Sequence, residues 1–542
     1  MRKILSVFIL QIVISFTLTA QVTQEWASRY YSGTGDDIVS AMAVDTSGNV
    51  FVTGSITGPN SNIDYATVKY NSAGVQQWVQ TYNGTGNNDD LPADIVTDIS
   101  GNVYVTGRST GNGSDQDYAT IKYNAAGVQQ WVKIYNGTSN YFDVATSIAV
   151  DGAGNVYVTG SSYDNTTNTD YATIKYNTNG IQQWITKYNG PAGSYDAALK
   201  ITVDAAGNVY ITGKSTGSGT GFDYATIKYN SSGVQQWASR YNGAGNGEDI
   251  PSSISVDASG NVYVTGYTTG SGSGKDYTTI KYNSAGVQQW LKTYNGPGNA
   301  DDKAVSIAVD DSGNVAVTGS SLGSGTDYDY ATIKYNSAGT QQWLQRYNGV
   351  GNQYDIPSAL RIDGFGNVYV TGSTIVNFTY NDYATIKYNS AGVQQWIKTY
   401  AGPGNQYDYA GPMALDAAGN VYVSGSSQGI SESFEFATVK CSQIIGIQQI
   451  STNIPANYSL SQNYPNPFNP STKFKFQISK ITDAKIPVFD ILGREVEILV
   501  DKQLQPGTYE ANWNASNYTS GVYFYKLITA DYSETRKMVL IK

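Results

Sequence analysis

The chain has 542 residues, too many for one ordinary compact domain, although closed repeat architectures exceed the usual length per core. Its 58 glycines, 45 tyrosines and 14% charged residues favour many short strands joined by tight turns over helices or disorder. A net charge of −10, no histidine and a single cysteine argue against nucleic acid as a partner and exclude histidine general bases, cysteine zinc sites and an internal disulfide framework.

The first twenty residues place Arg2 and Lys3 before an apolar run from Ile4 to Leu18, followed by Thr19 and Ala20. This is the pattern of a secretory signal peptide with cleavage near Ala20. The run is short for a membrane span, so a soluble mature protein is expected.

Residues 21–446 form a repeat of fixed length. The string GNVYVTG and its near copies begin at Gly48, Gly101, Gly154, Gly207, Gly260, Gly313, Gly366 and Gly419, always 53 residues apart. A second string, DYATIKYN, begins at Asp64, Asp117, Asp170, Asp223, Asp276, Asp329 and Asp382, with a weaker eighth copy at Glu435. A third ends at Trp26, Trp78, Trp131, Trp184, Trp237, Trp290, Trp343 and Trp396. Each unit resolves into four strand-sized pieces, such as TSIAVD, NVYVTG, DYATIKYN and IQQWITKYN, and four strands make a propeller blade. In links such as Asp151 to Asn155, aspartate caps the turn and glycine takes the positive φ of a tight hairpin. The predicted fold class is all-β, an eight-bladed β-propeller.

The frame of the repeat predicts how the ring closes. Trp26 sits in a Trp strand with no blade before it, whereas the eighth copy decays after Lys440, and Ile447 to Ile450 read as a degraded Trp strand. The N-terminal strand should therefore complete the last blade. An open solenoid is the competing geometry, but it would need atypical polar caps at both ends. The repeated Trp is expected to be structural, filling the widening gap between blades at the rim.

After a linker at 447–460, the composition shifts at 461–542, where strand-like runs at 473–478, 487–492, 522–528 and 537–541 suggest a small Ig-like β-sandwich. Pro487 interrupts one run and would be tolerated best on an edge strand.

Two resemblances rest on these strings. The repeat, carried by D-x-x-G-N-V-Y-V-T-G and D-Y-A-T-I-K-Y-N, resembles the bacterial SBBP β-propeller repeat family, which implies the propeller and no particular activity. YPNPFNPST, DILGREV, GTYEANW, SGVYFYKL and KMVLIK together resemble the type A C-terminal sorting domain of the type IX (Por) secretion system. The motif positions are Tyr464, Pro465, Asn466, Pro467, Phe468, Asn469, Pro470, Asp490, Gly493, Gly521, Tyr523 and Lys537. That resemblance implies the type IX machinery as a partner and a secreted or outer-membrane surface location in a bacterium.

One candidate site stands out. The loop entering each first strand carries an aspartate: Asp37, Asp90, Asp143, Asp196, Asp249, Asp302, Asp355 and Asp408. If these loops share a face with those heading DYATIKYN, two acidic circles lie together, and that face could gather calcium or hold a polyhydroxylated ligand. Against this stands the simpler reading that each aspartate caps its own turn, and no other cofactor is expected. Cys441 is expected to be an inert strand residue. A monomeric, non-catalytic module binding an extracellular glycan, another polymer or a protein is the favoured expectation. A polysaccharide-active glycosidase or lyase and a purely structural surface protein are the alternatives.

Overall fold

The computed structural model describes residues 22–58, 62–166, 168–376, 380–430, 432–443, 448–451, 453–515 and 518–542. The signal-peptide segment, the cleavage position near Ala20 and Ile447 lie outside the described residues. Every regular element described is a β-strand, and these fall into two compact units that meet in sequence at Ser442 and Gln443.

The first unit is an eight-bladed propeller. β1 (Val22–Tyr30) stands apart from the blade that follows, in which β2 (Ile38–Val44), β3 (Val50–Thr57), β4 (Ile63–Tyr70) and β5 (Gln76–Tyr82) pair in chain order. Blades 2 to 7 repeat this meander at 90–135, 143–188, 196–241, 250–294, 302–347 and 355–400. Blade 8 has three strands in sequence, Asp408–Leu415, Val421–Gln428 and Phe434–Gln443, and β1 joins it as the outermost. First strands of neighbouring blades touch in an unbroken circuit, and that of blade 8 returns to β2, so the ring is closed as the repeat frame predicts.

The turns form for local reasons. In blade 3, Asp151 Oδ1 accepts from Ala153 N at 3.0 Å and Asn155 N at 2.9 Å, while Oδ2 accepts from Asn155 Nδ2 at 2.8 Å and Tyr157 Oη at 2.9 Å. Gly154 takes φ +78°. Every residue of the Asp-x-x-Gly-Asn-x-Tyr string thus has a stated task in the hairpin.

Blades are joined at the rim by a shared acceptor. Seven indole N–H groups, from Trp26 to Trp343, donate at 3.1–3.3 Å to a carbonyl in the next blade's outer hairpin. In blades 2 to 5 the lysine of DYATIKYN donates to that same carbonyl while its ammonium lies over the NVYVTG tyrosine, as with Lys122 over Tyr104 at 5.1 Å. Trp396 faces blade 8, whose two outer strands come from opposite ends of the repeat array, and its N–H has no acceptor among the described residues. Blade 6 replaces the tyrosine with Ala316. There Lys334, unsupported by a ring, turns to the Gly366 carbonyl at 2.7 Å.

The C-terminal unit is a sandwich of two four-stranded sheets. One runs Gln448–Ser451, Gly507–Asn514, Ser471–Ile478, Ser459–Leu460, and the other Glu495–Leu504, Thr482–Asp490, Gly521–Ile528, Ser533–Leu540. Phe474, Phe476, Ile486, Val488, Trp513, Tyr525 and Leu527 fill the space between them. Two expectations are corrected here. Residues Gln448–Ser451 do not belong to a degraded propeller strand or a plain linker: they pair with the Gly507–Asn514 strand, Gln449 opposite Tyr509. Pro487 lies on an interior strand, where a register shift at Ile486/Pro487 provides the bulge that accommodates a residue without an N–H.

Candidate functional site

Strand register puts both acidic circles on one face. Across blade 2, Asp90 lies opposite Ser109 and Ser109 opposite Asp117; the same row of carboxylate, hydroxyl and carboxylate recurs in blade 4 as Asp196, Ser215 and Asp223, and in blade 6 as Asp302, Ser321 and Asp329. The circles approach each other across blade seams. The Asp90 charge acts on Asp64, the Asp143 charge on Asp117 and the Asp408 charge on Asp382.

The eight ring aspartates are fully buried. Asp90, Asp143, Asp196, Asp249, Asp302, Asp355 and Asp408 each accept the backbone N–H of the glycine six residues earlier at 2.5–2.7 Å. Asp37 does the same from Ser32 N at 2.6 Å. A second oxygen often holds the far loop as well, as Asp249 Oδ1 does from Thr269 N at 2.9 Å. These carboxylates pin the loop entering the blade, which is the capping reading. Among the described residues no group of three or more acidic or cysteine side chains is placed to hold a cation.

Arginine neutralises part of this face. In blades 4, 6 and 8 the outermost strand supplies Arg240, Arg346 and Arg29, which pair with Asp223 at 2.8 Å, Asp329 at 2.7 Å and Glu435 at 2.7 Å. Each guanidinium also reaches a tyrosine hydroxyl of the preceding blade, Tyr188, Tyr294 or Tyr400, and so ties two blades together. The other blades have no arginine at this position.

Burial pushes the ring carboxyls up. Asp37 and Asp355 of the ring, and Asp64 and Asp382 of the second circle, rise to about 6, each driven first by burial with neighbouring carboxylates adding to it, while hydrogen bonds oppose part of the rise at Asp37 and Asp355. A raised carboxyl favours the folded state while protonated. That contribution is fully present below the ordinary aspartate value and is lost as pH rises through about 6. At the hairpin aspartates such as Asp151 burial is outweighed by hydrogen bonds that hold the carboxyl low, so their contribution is lost in acid. The propeller's melting temperature is therefore expected to rise as pH falls from about 7.5 to about 5, then to drop below about 4. A melting temperature that falls steadily over the first interval contradicts this.

Both acidic and aromatic side chains reach solvent on this face. The residue before the ring aspartate is Asp36, Asp89, Glu248 or Asp301 in blades 1, 2, 5 and 6, but Phe142, Tyr195, Tyr354 or Tyr407 in blades 3, 4, 7 and 8. Three of the acids cap a backbone N–H of the preceding blade, Asp36 to Phe434 at 2.9 Å, Asp89 to Ile63 at 3.0 Å and Asp301 to Lys275 at 3.1 Å. The aromatic residues associate with other rings instead: Tyr195 with Phe222 at 5.8 Å, Tyr354 with Tyr328 at 6.1 Å, Tyr407 with Tyr380 at 4.9 Å. Phe142 and Tyr354 are about half exposed, at 53% and 50%. The face thus carries two aromatic sectors half a turn apart, separated by acidic ones. Scanning the repeats for unusual polar residues misses this; comparing the eight residues that precede the ring aspartate finds it.

In the C-terminal unit the motif residues divide by role. Phe468 is buried against Trp513 at 5.6 Å, and its backbone bonds to Val539 and Ile541 at 2.9 Å. Tyr523 packs on Trp513 at 5.2 Å from the strand opened by Gly521. Asp490 and Gly493 (φ +77°) form a hairpin tip, with Asp490 accepting from Leu492 N at 2.9 Å and Arg494 N at 3.0 Å. Lys537 pairs in register with Phe524, and its carbonyl accepts from Gln462 at 2.7 Å. Tyr464, Pro465, Asn466, Pro467 and Asn469 are exposed, while the Pro465 carbonyl is held by Asn463 and Thr472 and that of Pro470 by Ala515 N. The motif is a solvent-facing loop on a buried aromatic anchor.

Comparison with known proteins agrees with this geometry. The SBBP family, described as Beta-propeller repeat, matches residues 28–60, 77–113, 130–165, 236–272 and 342–379, and the Secretion system C-terminal sorting domain matches 462–542. Fold and matches together are those of a β-propeller repeat protein followed by a C-terminal domain similar to secretion-system sorting domains. Five segments of the propeller match the SBBP repeat, and residues 462–542 match the Por secretion-tail sorting domain.

An uncharacterized WD repeat-containing protein of Acanthamoeba polyphaga mimivirus is 24% identical over 424 residues, covering 54% of this chain and 30% of that protein. The chain thus spans less than a third of the curated relative it matches. Among solved structures, PorZ of Porphyromonas gingivalis, described as an essential bacterial surface component of the type-IX secretion system, is 13% identical with a TM-score of 0.33, covering 94% of this chain and 74% of its own. Drosophila Plexin A in complex with Semaphorin 1b is 9% identical with a TM-score of 0.38, over 78% and 87% of the two chains. Prolyl oligopeptidase B of Galerina marginata is 9% identical with a TM-score of 0.38, over 73% and 56%. Scores this low carry no functional weight.

Proposed function

We propose that this protein is an extracellular binding module, delivered to the bacterial surface or medium by the type IX route, whose propeller engages a glycan or another extracellular polymer and does no catalysis. The observation that carries this reading is the pair of exposed aromatic sectors on one face, set on loops that buried aspartates pin to the blades. Exposed aromatic clusters on a rigid scaffold favour binding, because little freedom is lost when a ligand settles on them. Two sectors half a turn apart suit a repeating polymer, which can engage both at high effective concentration. The raised carboxyls do not favour a glycosidase or lyase: they occur in acidic and aromatic sectors alike and owe their shift first to burial.

The test is a glycan-array screen of the full chain, with purified extracellular polymers alongside. Binding without release of reducing sugar or unsaturated product is the expected result. Product release, or self-assembly with no bound ligand, would replace this reading with the enzymatic or the structural one.

A further inference from the structure

The aromatic sectors are not equivalent, and one of them has the features of a defined subsite. In blade 4 the Tyr195 and Phe222 rings are already covered by the chain's own Lys214, whose ammonium lies 5.1 and 4.5 Å from their centroids. At the seam of blades 7 and 8 the rings run on with no lysine or arginine over them among the described residues: Tyr380 to Tyr407 at 4.9 Å, Tyr407 to Tyr409 at 6.0 Å with planes only 7° apart, and Tyr409 to Phe434 at 5.8 Å. Tyr380, Tyr407 and Tyr409 are 37%, 40% and 43% exposed.

The base of this ribbon is rigid. Asp408, between the two parallel tyrosines, is fully buried and holds Gly402 N at 2.7 Å, and the Tyr407 carbonyl accepts from Gln428 N at 2.9 Å. Acidic side chains outnumber basic ones around it: Asp408, Asp382, Glu435 and the exposed Glu432 stand against Arg29, which pairs with Glu435 at 2.7 Å. An anionic polymer is therefore disfavoured. Tyrosines offer flat apolar faces with a polar rim, which match a sugar ring whose C–H faces are apolar and whose edge carries hydroxyls.

We infer that Tyr380, Tyr407, Tyr409 and Phe434 form a stacking platform for a neutral polysaccharide. This rests on the reading of the propeller as a binding module and names where and what it binds.

The test is affinity gel electrophoresis of the full chain in gels cast with hydroxyethylcellulose, xyloglucan or mannan, with alginate as the anionic comparison. The expected result is retardation by at least one neutral polymer, about tenfold weaker or more in Tyr407→Ala/Tyr409→Ala, as two lost ring contacts imply. Tyr407→Phe, which keeps the ring, should bind as the parent does, and Tyr380→Ala gives a second, single-site variant with little risk to folding. Thermal melts of each variant identify any that fail to fold. Retardation unchanged in every folded ribbon variant overturns the platform and leaves the binding module standing. No retardation by any neutral polymer, or retardation by alginate alone, overturns the platform outright, and the array screen then decides whether the module reading falls with it.

Discussion

A chain lacking residues 22–30 is expected to lose its cooperative melt at the parent's transition and to aggregate. Blade 8 receives β1 from the far end of the sequence as its outermost strand. It carries Trp26, which packs on Tyr70 of blade 1 at 6.4 Å and Tyr422 of blade 8 at 6.2 Å and donates to the Ser72 carbonyl at 3.1 Å. Tyr30 adds a contact with Phe436 at 5.7 Å, and the loss of these two rings alone removes about 3 kcal/mol of apolar burial. Arg29 would leave Glu435 without its 2.7 Å partner in a largely buried position. The deletion also uncovers the Phe434–Gln443 strand as an unpaired edge. Gel filtration and a thermal melt check this: a monomer melting within a degree or two of the parent would mean that β1 is not part of the ring.

Gly213→Val is expected to cost on the order of 3 kcal/mol, because it fills the space through which one blade docks on the next. A Cβ at Gly213 would lie 2.2 Å from the Ala197 carbonyl and 2.7 Å from both Ala198 Cα and the Tyr171 hydroxyl. Tyr171 comes from the preceding blade, is buried, and donates to the Ala225 carbonyl at 3.3 Å. The same contact recurs wherever a DYATIKYN tyrosine threads over the next blade's NVYVTG glycine, as Tyr118 does at Gly160 and Tyr224 at Gly266. Gly152→Ala, in open space on a hairpin, should change stability by less than about 0.5 kcal/mol. Denaturant titration of both variants separates the cases, and equal losses would refute the docking role.

The propeller was legible because a 53-residue period with three anchor strings fixes the strand order in every blade, and the surplus Trp26 strand then fixes closure. The acidic face was legible only in outline. A period shows that Asp90 and Asp143 occupy equivalent loops, but it does not show whether a carboxylate points to water or turns back onto the N–H of Gly84 or Gly137; that depends on how closely the loop folds over it. Tyr407 and Tyr409 were hidden in plain repeats, since aromatic residues are common everywhere in this chain and only their position beside the ring aspartate marks them. The Gln448–Ser451 strand misled for another reason. Its Gln-Gln resembles the Trp-strand string, yet without the tryptophan it has nothing to place at the rim, and the sheet edge at Tyr509 offers it backbone partners.

The binding face as described, with Tyr407 and Tyr409 beside the seam, requires that the N-terminal strand complete blade 8. The most direct test is a designed cross-link, Thr23→Cys with Ser442→Cys in a chain where Cys441→Ala removes the native thiol. The two hydroxyls lie 3.3 Å apart across β1 and its neighbour. Closure predicts that oxidation joins the two cysteines within one chain, abolishing free thiol and raising the melting temperature. Two reactive thiols persisting in folded, oxidised protein would contradict the closed ring.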